Sequence, residues 1–146
     1  MQETQGRCLC GEVTFTGLGA LAPVEICHCD TCRRHTAGPL MSTYFAGGVR
    51  LDEAAALRWY ESSTIAARGF CGRCGTTLFW RLRGSEAMSV SAHVVDAEPP
   101  AIAEHVFYDQ KSPWYDFADD APRVTAAQMR ARFDAWRRRQ DDEAGR

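Results

Sequence analysis

Before Pro99, apolar and polar residues alternate again and again with a period of two. Val13 and Phe15 stand between Thr14 and Thr16 until Gly17 and Gly19 break the run, and Val24 and Ile26 repeat the pattern ahead of Cys27. Side chains two apart share one face of a strand, so this period predicts half-buried strands. Further strands are predicted at Leu40–Phe45, closed by Gly47 and Gly48, and at Leu57–Tyr60, Thr76–Leu82 and Met88–Val94. Strands that follow one another through short turns pair antiparallel, which makes the expected core all-β and mainly antiparallel.

The period changes toward the C-terminus. Pro99 and Pro100 mark a break before a last strand at His105–Tyr108, and the polar stretch Asp30–His35 fits one helical turn. Thr125 with Gln128 three residues on forms a capping box, and Met129, Phe133 and Trp136 then fall on one helical face. A C-terminal α-helix is expected over Ala126–Arg139. Asp109–Pro122, with Ser112, Pro113, Trp114 and Tyr115 among acidic residues, is expected to be an irregular but packed loop. Residues 1–123 would form one β domain, with a helix and tail at 124–146 packed on it.

Composition narrows the function classes. A chain of 146 residues that is 45% hydrophobic suits a single core. The formal net charge of -2 supplies no general field for nucleic-acid phosphates or an anionic membrane, so neither partner is expected. Arg130, Arg132, Arg137, Arg138 and Arg139 make the last helix basic, but Asp141, Asp142 and Glu143 follow them, as on a solvated face. Apolar stretches fall far short of the ~20 residues of a membrane span, and the first residues are polar and carry no leader pattern. A cytoplasmic protein is expected.

Seven cysteines are the chemical signal: CxC at Cys8 and Cys10, CxCxxC at Cys27, Cys29 and Cys32, and CxxC at Cys71 and Cys74. An odd count, tight spacings and no leader argue for metal over disulfides. CxC on a strand would present both sulfurs on one face, and Cys71-Gly72-Arg73-Cys74-Gly75 supplies the tight turn of a metal knuckle. Two pairings are open. Cys29 and Cys32 could join Cys71 and Cys74 as a zinc ribbon, which strands three sulfurs, or Cys8 and Cys10 could join Cys71 and Cys74, which leaves Cys27, Cys29 and Cys32 together.

Cys8-Leu9-Cys10-Gly11-Glu12-Val13, Cys27-His28-Cys29-Asp30-Thr31-Cys32-Arg33-Arg34, Phe70-Cys71-Gly72-Arg73-Cys74-Gly75-Thr76 and the stretch from His105 to Tyr115 together resemble the glutathione-dependent formaldehyde-activating enzyme family, which includes centromere protein V. The resemblance runs from about Gly6 to Phe117. It implies a zinc-bearing β-tent fold and two Zn2+ ions per chain. Cys8, Cys10, Cys71 and Cys74 would hold a structural zinc, and Cys27, Cys29 and Cys32 a catalytic one. It also implies a carbon-sulfur lyase that joins formaldehyde to glutathione.

Physical chemistry supports such a use of three thiolates. Zinc with three thiolates carries a net charge of -1, so it acidifies a water less than an imidazole site does, whereas an incoming thiol suits its preference for sulfur. A small thiol and an aldehyde are therefore the expected partners. Arg33, Arg34 and His35 follow the trio directly; the arginines are candidates for holding a substrate carboxylate, and His35 is the candidate catalytic residue for moving a proton. His28, on a strand between two ligands, should face away from the metal, and His93 and His105 are expected to be ordinary core or surface residues. Trp59, Tyr60, Phe79, Trp80, Trp114 and Tyr115 are expected in the core, with one or two of them walling a pocket. A non-catalytic two-zinc module and a zinc hydrolase of a small imine or thioester are the competing functions.

Overall fold

Two sheets meet face to face around the side chains of Phe15 and Phe79. The computed structural model describes residues Met1–Arg146. A three-stranded sheet has the order β1 (Glu3–Arg7), β2 (Thr14–Leu18) and β5 (Val49–Glu53). The larger sheet has seven strands. They are β3 (Val24–Cys27), β4 (Leu40–Thr43), β6 (Leu57–Glu61), β7 (Ala66–Cys71), β8 (Thr77–Leu82), β9 (Met88–Ser91) and β10 (Ile102–Val106), in the spatial order β10-β3-β4-β9-β8-β7-β6. Every strand pair is antiparallel except β10 with β3. Two helices complete the chain, α1 (Asp30–Thr36) between β3 and β4 and α2 (Ala126–Ala144) at the end.

The alternating residues of the sequence supply the core. Phe15 from β2 meets Phe79 from β8 edge to face at 5.1 Å between ring centroids, with Val13, Phe45, Leu78 and Val90 buried around them. The Phe15 ring lies across its cross-strand partner on β1, and residue 6 there must be glycine: a Cβ would lie 2.1 Å from Phe15 Cζ. Val24, Ile26 and Ala92 form a second buried cluster beneath β3, with Phe117 of the following loop packed against it.

Three strands fall outside those expected. β1 alternates in burial, but its buried positions are Thr4 and Gly6; β5 is exposed along most of its length; and β7 is buried on both faces but built from Ala66, Ala67, Arg68 and Gly69, which carry little strand propensity. Residues Ala92–Val94, expected as the end of β9, turn instead into a 3-10 helix, and the last strand ends at Val106 before a second such turn at Tyr108–Gln110.

The loop expected at Asp109–Pro122 fully buries none of its residues, but it comes back alongside β10, where the His105 N–H donates to the Pro122 carbonyl and the Val124 N–H to the His105 carbonyl. It delivers the chain to α2. The capping box forms as expected: Thr125 Oγ accepts the Gln128 N–H at 3.2 Å and Gln128 Oε1 accepts the Thr125 N–H at 2.8 Å. Asp109 Oδ1 accepts the Ala126 N–H at 2.8 Å, so the helix start is tied to the loop. α2 runs on to Ala144 rather than Arg139, and Arg132 donates to Glu104 of β10 at 2.7 Å. No helix is long and apolar enough to cross a membrane.

Candidate metal centres

Two hairpin turns, one from each sheet, face each other at the first cluster. Cys8 and Cys10 lie in the turn that follows β1, not on a strand as their spacing had implied. The tight connection to β2, with Glu12 and Val13 still to be accommodated, ends the ladder at Arg7 and curls the backbone so that the Val13 N–H points at Cys8 Sγ, 3.3 Å away. In the β7–β8 turn the Cys74 N–H points at Cys71 Sγ at 3.5 Å, and Gly75, at φ 78°, makes the reversal that a side chain would strain. Cys8 and Cys71 are buried, Cys10 is exposed, and all seven cysteines are free thiols.

The sulfurs of Cys8, Cys10, Cys71 and Cys74 all lie within 4.8 Å of one another. Cys8 to Cys10 is 3.6 Å and Cys10 to Cys71 is 3.8 Å. A tetrahedron with metal–sulfur bonds of ~2.3 Å has edges of ~3.8 Å, so this donor set fits a zinc-sized ion. Thr76 supports it. Its hydroxyl lies 3.1 Å from Cys74 Sγ while accepting the Leu9 N–H, and this bond to sulfur holds the Cys74 thiol down at about 5.

The second cluster forms where β3 gives way to α1. Cys27 is the last residue of β3, Cys29 caps the helix by accepting the Cys32 N–H at 3.3 Å, and Cys32 sits in the first turn. Their three sulfurs lie within 4.8 Å of one another, and no fourth Cys, His, Asp or Glu ligand atom joins them. Hydrogen bonds from Cys27 and Cys32 push the Cys29 thiol down to about 2, while hydrogen bonding to Cys29 and Cys32, followed by burial, pushes the Cys27 thiol up. Three convergent sulfurs, one of them held as thiolate, suit a soft cation. Both clusters could hold metal ions.

His28 points away from the sulfurs, as expected, and is fully buried. Its Nε2 lies 2.8 Å from His105 Nδ1, and His105 Nε2 lies 3.0 Å from Asp119, which also accepts from Arg123 at 3.1 Å. Tyr108 and Phe117 pack edge-on against the His28 ring. Burial, then the neighbouring His105, pushes His28 down to about 4. His105 is therefore not an ordinary core residue: with Asp119 it fixes the side chain between two of the sulfurs. This chain of contacts is invisible in sequence, since its members are 77 and 14 residues apart. His93 is exposed.

The residues after Cys32 divide. Arg34 is exposed and pairs with Asp30 at 3.2 Å. Arg33 donates to the His28 carbonyl at 3.0 Å and to Ser112 at 3.4 Å, and it lines a groove of about 470 Å³ with Pro39, Met41, Trp114, Tyr115 and Phe117. His35 shares a helix face with Cys32; its ring meets Phe70 of β7 at 6.3 Å, its Nδ1 is buried without a partner, and burial followed by the charge of Arg68 lowers its pKa. Of the six aromatics expected in the core, Phe79 lies there with Trp59 stacked on it, Tyr60 and Trp114 are exposed instead, and Trp114 and Tyr115 wall the groove.

Arg68 escaped sequence reasoning. It stands on β7 with 4% of its surface exposed, donates from Nη2 to Cys32 Sγ at 3.4 Å and from Nε to Ser62 at 3.3 Å, and leaves Nη1 buried with no partner. A lone arginine in an unpredicted strand carries no signal before the fold is known.

A Schizosaccharomyces pombe protein described as an uncharacterized lyase is 29% identical over 131 residues, covering 88% of this chain and 96% of its own length. A crystal structure of a Rhodobacter sphaeroides protein superposes with a TM-score of 0.52 at 21% identity, covering 82% of this chain and 98% of the other, a likeness of fold alone. The sequence model of the glutathione-dependent formaldehyde-activating enzymes matches residues 3–110, and on that match the chain belongs to this family.

Proposed function

We propose that this protein is a carbon-sulfur lyase-type enzyme that adds a small thiol of the glutathione kind reversibly to an aldehyde such as formaldehyde. The observation that carries the reading is the unequal sulfur count: four convergent cysteines in one cluster and three in the other, with no protein group near enough to be a fourth donor. Cys8, Cys10, Cys71 and Cys74 would hold a structural zinc, and Cys27, Cys29 and Cys32 a second zinc with one coordination position left for an outside ligand. That second ion would supply sulfur affinity, holding the incoming thiol as its thiolate at neutral pH.

The chain's own residues supply the rest. His35, kept neutral by burial and by Arg68, offers an unpartnered Nδ1 to take the thiol proton. As the sulfur attacks the carbonyl carbon, a carbon–sulfur bond forms, the carbonyl π pair moves to oxygen, and His35 returns the proton there to leave a hydroxymethyl thioether. The reverse path cleaves the same bond. The groove beside α1 would take the remainder of the thiol, with Trp114 and Tyr115 as walls and Arg33 as the group for a carboxylate. The family and the lyase name of the yeast relative support this class of reaction.

The test is cobalt-substituted protein titrated with glutathione, followed by ¹³C-formaldehyde exchange measured by NMR. Binding should shift the thiolate-to-cobalt absorption, and the protein should accelerate exchange between free and thiol-bound formaldehyde. Unchanged absorption and exchange at the uncatalysed rate would refute the reading and favour a non-catalytic module.

A further inference from the structure

We propose that Arg68 is a positioning residue of the three-cysteine site, the buried counter-cation that lets the cluster accept an anionic fourth sulfur ligand. The inference deepens the function proposed above and rests on it for the identity of that ligand, a thiolate. Its geometry stands on its own.

A guanidinium cannot shed its charge, and removing it from water is costly unless an anion faces it. Arg68 is 4% exposed, yet no carboxylate lies within ion-pair distance of it. Its neutral partner is Ser62, and the recess it lines with Leu40, Ser42, Trp80 and Ser89 has no room for a water. What it does face is Cys32 Sγ, at 3.4 Å. The missing negative charge must therefore come from the sulfur cluster.

The surrounding elements aim it there. β3 and β7 are four positions apart in the sheet, about 19 Å if the sheet were flat. α1, packed against β4, spans part of that gap, and the long Arg68 side chain reaches across the rest. Arg68 and Phe70, two apart on β7, then meet Cys32 and His35, three apart on α1. A divalent ion with three thiolates has a net charge of -1, and a thiolate in the fourth position makes it -2. One fixed cation against Cys32 offsets the added charge, so the penalty for recruiting a thiolate rather than a neutral ligand falls. Arg68 also holds the Cys32 side chain in place from outside the coordination sphere.

The experiment compares wild type, Arg68→Lys and Arg68→Met, each loaded with cobalt and titrated with glutathione and, separately, with a chelator. Arg68→Met should keep the metal of the four-cysteine cluster, release that of the three-cysteine cluster at a chelator concentration at least ~10-fold lower, and bind the thiol at least ~10-fold more weakly. Arg68→Lys should recover part of both losses. Wild-type metal retention and thiol affinity in Arg68→Met would overturn the proposal. Should wild type bind no thiol, the proposed function fails, while the chelator titration still reads the role of Arg68.

A second measurement covers poor folding of Arg68→Met. In metal-free protein under reducing conditions, replacing Cys27, Cys29 and Cys32 together by serine leaves the guanidinium with no sulfur anion to face, so adding Arg68→Met to that triple variant should raise the urea midpoint instead of lowering it further. Additive losses would overturn the counter-ion role.

Discussion

Exchanging Cys10 for serine should destabilise this fold far more than exchanging Cys29, although both side chains belong to a sulfur cluster. Cys10 is exposed, so serine there leaves no cavity, and at Cys29 serine can still cap α1. The difference must come from the bound ions. An ion at the first cluster ties residue 8 to residue 71 and so clamps two sheets, whereas one at the second ties residue 27 to residue 32, which helix α1 already holds close. Treated as chain cross-links, these closures remove about 4 and about 2 kcal/mol of unfolded-state entropy respectively. Helix α1 supplies part of the smaller figure by itself.

At about 3 °C per kcal/mol for a chain of this size, Cys10→Ser should lower the melting temperature by about 12 °C, and Cys29→Ser by about 5 °C or less. Thermal melts by circular dichroism after mild chelation, with metal content measured on the same samples, make the comparison. Equal losses in the two variants, or a stripped Cys10→Ser protein that melts with wild type, would refute the argument that the first cluster carries the fold.

Other outcomes follow from the packing. Gly6→Ala should cost about 1–3 kcal/mol in urea denaturation, because its Cβ would overlap the Phe15 ring, and Phe15→Leu should recover part of that cost; additive losses would count against the seating of that ring on Gly6. Glu25 faces Glu104 across the β3–β10 ladder, and burial, followed by the Glu104 charge, raises its carboxyl above the ordinary 4.5. The native state therefore holds that proton longer than the unfolded chain, and this group's contribution to stability is lost as pH rises past 4.5. Glu25→Gln should gain on wild type in urea midpoint between pH 4 and pH 7, and a difference independent of pH would dispose of the assignment. Trp114, 81% exposed, should be replaceable by alanine without loss of melting temperature but with several-fold weaker thiol binding by calorimetry.

The sulfur spacings were legible because metal ligands announce themselves by residue type and interval. The strands around them were legible where apolar and polar residues alternate, as at β2 and β3, and hidden at β7, buried on both faces with small residues, and at β5, exposed on both. Sequence could leave two pairings of cysteines open; the fold sets Cys8 and Cys10 against Cys71 and Cys74 by apposing turns from different sheets. Arg68, His105 and Asp119 were out of reach for one common reason. Each acts on a residue brought near only by the tertiary fold: α1 set against the sheet, the parallel pairing of β10 with β3, or the loop that returns beside β10.

The way α2 leaves the body has a practical side. Its fastenings are the Asp109 contact at its first residue and the Arg132–Glu104 pair, and residues 137–146 are all exposed. A helix rises ~1.5 Å per residue, so the final residues stand about 20 Å along the axis from Arg132. Dyes, affinity peptides or surface tethers joined there would ride on a stiff spar, giving single-molecule or immobilised assays a grip that leaves the sulfur-bearing turns unburdened.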